Sequence, residues 1–125
     1  MSIKEINVLV LAYLGDTIYE DYIRKYLISL GINNVNDLQK KATDYVSAKN
    51  QAKFLTRMLD NNFLTEGEID VFKRARNYKS NSHPKNCDVI TYKYATGLEA
   101  LIGYLELDNR RDRIDEIMNY ILGDE

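Results

Sequence analysis

The sequence predicts an all-α, single-domain fold, and three observations carry that expectation. Apolar residues recur at spacings of three and four over most of the chain, the period of a helix and not of a strand. One Pro and six Gly leave little turn punctuation, and no Asn-Gly or Asp-Gly dipeptide, the usual hairpin signal, occurs. With 125 residues, 45% apolar and 29% charged, the composition is globular. It suffices for one hydrophobic core and is too small for a catalytic domain with a separate recognition module.

Taken in order, Ser2 followed by Glu5 reads as a capping box opening a first helix. Its apolar pattern continues through Gly15 along Ile18, Tyr19, Tyr22, Ile23, Tyr26, Leu27 and Leu30, and stops at Gly31. Asn36 is the expected cap of a second helix carrying Leu38, Ala42, Tyr45 and Val46. Ser47 restarts the chain as a third helix with Ala52, Leu55, Met58 and Leu59, ending near Asn61 and Asn62. Thr65 with Glu68 is another capping box, for a short helix through Val71 and Phe72 toward Ala75. Arg76 to Asp88 holds the only Pro, His and Cys between basic and polar residues, and is expected to be a long basic loop. Val89 to Leu107 is apolar on nearly all sides, as a central buried helix is. A last helix from Asp112 to Leu122 places Ile114, Ile117, Met118 and Ile121 on one face.

A lone cysteine, Cys87, cannot form an internal disulfide or a thiolate metal cluster, which points to a reducing, cytoplasmic setting. The apolar run from Val8 to Leu14 is too short to span a bilayer, so no membrane association is expected. The net charge of −2 conceals a division. Residues 1–72 hold 8 basic and 10 acidic side chains, residues 73–93 hold 6 and 1, and residues 94–125 hold 3 and 8. Lys73, Arg74, Arg76, Lys79, Lys85 and Lys93 form a local basic cluster, the type of feature on which phosphate contacts depend.

Asp16 and Glu99 each sit inside an otherwise apolar helical run. A buried carboxylate costs several kcal/mol unless compensated. A divalent cation such as Mg²⁺, held by one or two carboxylates and waters, compensates it. The alternatives are that Asp16 caps a helix restart after Gly15 and that Glu99 pairs with Lys or Arg. Gly15, Gly97 and Gly103 suggest close helix approach, which would bring the two acids together, although plain packing needs no chemistry. Glu20 and Asp21 read as a solvated face or a pair with Arg24. His83 is a loop residue without a second ligand, and Cys87 has no neighbouring base. Tyr13, Tyr19, Tyr22 and Tyr26 read as core and dimer packing. The basic segment is either an ordinary charged loop, with Asp88 capping the next helix, or a set of donors for phosphate and 2′-hydroxyl oxygens.

The run from Leu11 to Glu20, LAYLGDTIYE, resembles the signature of the ribonuclease III catalytic domain, and LEALIGYL from Leu98 resembles its second motif. The phrases VSAKNQA, RNYKS, PKNCDV and TYKYATGLEALIGYL are similar to the compact bacterial branch of that family, Mini-ribonuclease III, which lacks a double-stranded-RNA-binding domain. The resemblance runs from about Asn7 to Leu107. Full-length ribonuclease III carries further acids where this chain has Leu9, Ala12, Val35 and Thr96, and the compact branch shares those departures.

The resemblance implies a ribonuclease III-like endonuclease domain over residues 1–125 with no separate RNA-binding domain, and a homodimer. It implies Mg²⁺-dependent hydrolysis of double-stranded RNA, with Asp16 and Glu99 as the catalytic and metal-binding residues, and a precursor of 23S ribosomal RNA as substrate. RNA contacts are then expected at Arg74, Arg76, Asn77, Lys79, Ser80 and Lys85, with Lys40, Lys41 and Lys49 extending the track. The apolar excess around Tyr19, Tyr22 and Tyr26 is compatible with the dimer interface. The residues leave open whether a ribosomal protein assists. Rival readings are a non-catalytic RNA-binding or ribosome-assembly module with the same fold, and a helical protein-interaction domain.

Overall fold

Asparagine side chains, not Ser2, set the first two long helices. In the computed structural model, which describes residues 2–79 and 84–123, Ser2 caps only a 3-10 turn, Ile3–Glu5, which ends where Ile6 takes an extended backbone. Asn7 Oδ1 then accepts the Leu9 N–H at 2.7 Å and opens α1, Val8–Ser29. This corrects the expected start, while the predicted stop holds, with Gly31 at φ 91°. Gly15 interrupts nothing, since α1 runs straight through it. The second helix, α2 (Val35–Val46), is capped by Asn34 and not by Asn36. Asn34 has the extended backbone that a cap needs, and it accepts the Asp37 N–H at 3.1 Å.

The remaining boundaries follow the sequence closely. Ser47 caps α3, Ala48–Asp60. Thr65 and Glu68 form a reciprocal capping box for α4, Glu66–Arg76. Asp88 caps α5, Val89–Leu107, by accepting both the N–H and the hydroxyl of Thr91 at 2.8 Å. These bonds hold its carboxyl below the usual range. The last helix, α6, covers Arg111–Gly123. Among the described residues there is no strand, as the all-α expectation requires.

The helices assemble around α5. Its Leu98, Leu101, Ile102 and Leu105 pack with Leu11, Ile18, Tyr19, Ile23 and Leu27 of α1. Leu55 and Met58 of α3, Phe72 of α4 and Ile114, Ile117 and Met118 of α6 complete the core. Burial of each such side chain favours the fold by about 1.5–3 kcal/mol before conformational entropy is counted. The amphipathic α2 is peripheral, with Leu38, Ala42, Tyr45 and Val46 only half-buried on its inner face. No described helix is long and apolar enough to cross a membrane.

Candidate active site

Glycine determines where the two carboxylates meet. A Cβ added to Gly15 of α1 would overlap the carbonyl oxygen of Glu99 on α5. One added to Gly103 would overlap the carbonyl oxygen of Leu11. The two backbones therefore touch, as the spacing of the glycines suggests, and Asp16 and Glu99 emerge side by side at the crossing. Gly97, two residues before Glu99 in the same helix, serves α4 instead, because its missing Cβ makes room for the Phe72 ring.

The exposures correct one expectation. Glu99 is largely enclosed, whereas Asp16 is exposed, so the desolvation argument applies to Glu99 alone. Burial pushes the Glu99 carboxyl up, to about 9, with Asp16 adding to the shift through a shared hydrogen bond and like charge, and Glu20 through like charge. Only the Nε2 donor of Gln51, 3.4 Å from Glu99 Oε2, works in the opposite direction. Neither of the alternatives drawn from sequence is present. Asp16 lies in the middle of α1 and caps nothing, and no Lys or Arg pairs with Glu99 among the described residues. Glu20 does pair with Arg24, at 3.4 Å, and Asp21 with Lys25, at 3.0 Å.

Sequence reasoning missed Gln51. It sits in a polar stretch, KNQAK, yet it is buried because it shares a stripe with Leu55 and Met58 at helical spacing. That spacing was the available signal.

The pair fits a hard divalent cation. All its donors are oxygens of carboxylates, one of them enclosed and lacking a cationic partner, and Mg²⁺ needs only one or two protein carboxylates beside its waters. Among the described residues no group of three or more His, Cys, Asp or Glu side chains is arranged to hold a metal. Among the described residues, Asp16 and Glu99 are thus the carboxylate pair that the crossing brings together.

The expected RNA-contacting residues divide by location. Arg74 and Arg76 lie in the last turn of α4 and not in the loop, because the helix runs on to Arg76. Arg74 Nη2 donates to the Ile6 carbonyl at 2.8 Å, tying α4 to the N-terminal turn. Arg76 lies 5.7 Å over the Phe72 ring and donates from Nε to Asn77 Oδ1 at 3.2 Å. Since Phe72 packs on Gly97, Arg76 is linked to the carboxylate helix through one aromatic ring. Asn77, Lys79 and Lys85 are exposed. Ser80 and His83 lie outside the described residues.

The core-packing expectation holds for Tyr19, Tyr22 and Tyr26, whereas Tyr13 is exposed. Tyr19 is fully buried within its own chain and donates to the Tyr45 carbonyl at 2.6 Å. Tyr22 bonds Asp115, and Tyr26 meets Tyr45 edge-on. The exposed apolar side chains near the site are instead Leu9, Val10 and Tyr13 of α1 and Tyr92 of α5.

Residues 9–110 match the ribonuclease III domain family. The chain is 50% identical over 119 residues to Mini-ribonuclease 3 of Enterococcus faecalis, covering 95% of this chain and 90% of the relative. It is 40% identical over 122 residues to Mini-ribonuclease 3 of Streptococcus pneumoniae, covering 98% and 95%. A crystal structure of a Fusobacterium nucleatum protein superposes with a TM-score of 0.85 at 37% identity, covering 97% of this chain and 95% of that one. The chain belongs to the ribonuclease III domain family, in the branch of the Mini-ribonuclease 3 proteins.

Proposed function

We propose that this protein is a Mg²⁺-dependent endoribonuclease that hydrolyses phosphodiester bonds of double-stranded RNA. The observation that carries the reading is the juxtaposition of Asp16 and Glu99 across the Gly15–Gly103 crossing, with Glu99 enclosed and without a cationic partner among the described residues. The names of the relatives support the RNA substrate. Asp16 and Glu99 bind the metal, and Gln51 holds the Glu99 carboxyl in place. Mg²⁺ at this position supplies positive charge that lowers the pKa of a water and stabilises charge on the scissile phosphate. The basic residues at the end of α4 and in the following loop bind phosphates and hold the duplex against the acids.

In this reading the protein is a cytoplasmic homodimer that matures a precursor of 23S ribosomal RNA. The dimer face consists of Leu9, Val10 and Tyr13, beside a concavity of about 150 Å³ that Leu9, Tyr92 and Thr96 help to line.

The test is incubation of a structured RNA duplex with wild type, Asp16→Asn and Glu99→Gln, in Mg²⁺ and in EDTA. Wild type cleaves only in Mg²⁺, and each variant loses at least about 100-fold in rate. Cleavage that survives Asp16→Asn overturns the assignment of the site. Duplex binding without cleavage in any divalent metal favours the non-catalytic module.

A further inference from the structure

We infer that Gln51 selects the metal: by engaging Oε2 of Glu99 it leaves that carboxylate one oxygen for coordination, which suits Mg²⁺ and disfavours Ca²⁺. The inference rests on the proposed metal site at Asp16 and Glu99, and it gives Gln51, a positioning residue, a part in the specificity of that site. Mg²⁺ takes a near-octahedral shell and keeps several of its waters, so single oxygens from one or two carboxylates are enough. Ca²⁺ takes about six to eight oxygens and often grips a carboxylate by both of them.

The contact is built into the fold. Gln51 is 4% exposed, and a buried amide costs stability unless its polar atoms are bonded. Its Nε2 donates to Glu99 Oε2 at 3.4 Å from the side of α3, while Asp16 meets the same carboxyl from α1. Oε1 is therefore the oxygen left for an ion shared with Asp16. At 3.4 Å the bond is long, whereas N–H bonds to ionised carboxylates are about 2.7–2.9 Å, so it tightens when Glu99 is ionised. The donor also favours the ionised carboxylate, which is the metal-binding form. Its hold on Oε2 is thus strongest in the state that takes the ion.

Tyr19 keeps Gln51 within reach. It follows Asp16 by three residues on α1, is fully buried, and donates from its hydroxyl to the Tyr45 carbonyl at 2.6 Å. Tyr45 lies in the last turn of α2, where carbonyls lack helical partners, and Ser47 is the single residue between α2 and α3. Ser47 accepts the Asn50 N–H on its side chain at 3.3 Å and the Gln51 N–H on its carbonyl at 2.9 Å. Phe54, three residues beyond Gln51, stacks on Tyr45 with ring centroids 6.3 Å apart. The helix that carries Asp16 therefore also pins the start of the helix that restrains Glu99.

The experiment is titration of ¹⁵N-labelled, RNA-free protein with MgCl₂ and with CaCl₂, followed by NMR through the backbone amides of Asp16 and Glu99 and the side-chain amide of Gln51. Wild type is expected to bind Mg²⁺ more tightly than Ca²⁺, and the Gln51 side-chain amide to shift with the same Kd as the two backbone amides. Gln51→Met keeps an unbranched side chain and has no N–H to donate. It is expected to bind Mg²⁺ about tenfold more weakly and Ca²⁺ as wild type does, with unchanged helical content by circular dichroism. Equal losses for the two metals, or no loss, overturn the inference and leave the proposed function standing. So does a wild-type Gln51 amide that ignores Mg²⁺, or a wild type that prefers Ca²⁺, and these two results need no variant that folds. Mg²⁺ that moves neither the Asp16 nor the Glu99 amide of wild type overturns the inference and the metal site together.

Discussion

The guanidinium of Arg113 on α6 holds the buried carboxylate of Glu68 on α4 with two nitrogens, Nε at 2.7 Å from Oε2 and Nη2 at 2.9 Å from Oε1. Nη2 also donates to the Phe63 carbonyl at 2.7 Å, and the guanidinium lies 4.5 Å over the Phe63 ring. Glu68 is the capping-box residue of α4, so one carboxylate both starts a helix and fastens α6 to it.

Burial opposes ionisation of Glu68, but Arg113 and the Thr65 N–H outweigh it and keep the carboxyl below its usual range. A depressed folded-state value stabilises the protein above the unfolded value and is lost as pH falls through the folded one. Arg113→Ala leaves the charge buried without its cation, with the Thr65 N–H still bonded to it, and should cost about 3–5 kcal/mol at pH 7. The gap from wild type should narrow as pH falls through the depressed folded-state value of Glu68, so the two proteins are compared at pH 7 and at an acid pH below the ordinary glutamate range. Urea denaturation at the two pH values measures both effects.

Glu99 has the opposite sign. With its carboxyl raised, metal-free protein holds a proton that the unfolded chain releases, so stability present below the ordinary glutamate value declines as pH rises toward about 9. Glu99→Gln should abolish that decline in denaturation curves run in EDTA. Mg²⁺ binding should release a proton near neutral pH and tighten as pH rises. Calorimetry in two buffers of different ionisation enthalpy reads the proton directly, and zero release would contradict the placement of the metal on Glu99.

Gly15→Ala and Gly103→Ala each place a methyl group inside a backbone carbonyl, which no rotamer change relieves. Each should cost about 3 kcal/mol or more. Gly97→Ala meets the buried Phe72 ring and not a backbone carbonyl, and should cost less, about 1–3 kcal/mol. The ranking is checked by thermal and urea unfolding.

Tyr13 is 82% exposed, so Tyr13→Asp should leave the monomer's fold intact. On the proposed dimer face it should convert a dimer to a monomer in sedimentation experiments, by placing two unpaired charges across the symmetry axis. A variant that sediments as wild type would move the interface elsewhere.

The sequence was most informative where the controlling interaction is local. The Thr65–Glu68 box, the Ser47 cap and the Asp88 cap each depend on a side chain reaching two or three residues along the chain. It was less informative where several caps compete, as with Asn34 and Asn36, since the choice depends on which backbone is extended. The apolar neighbours of Asp16 point to burial. Gly15 and Ile18 face inward, however, and Asp16 is turned toward the rim of that stripe. Gln51 was hidden by the polar residues beside it, and the exposed face at Tyr13 emerged only once packing had enclosed Tyr19.

The main-chain contact at Gly15 and Gly103 leaves no side chain whose rotation could widen or narrow the crossing. The interval between the Asp16 and Glu99 backbones therefore acts as a fixed gauge. Under the proposed function, ions of different radius would be accommodated by their own water shells and by the two carboxylate arms, so discrimination among divalent metals would come from hydration more than from movement of the scaffold.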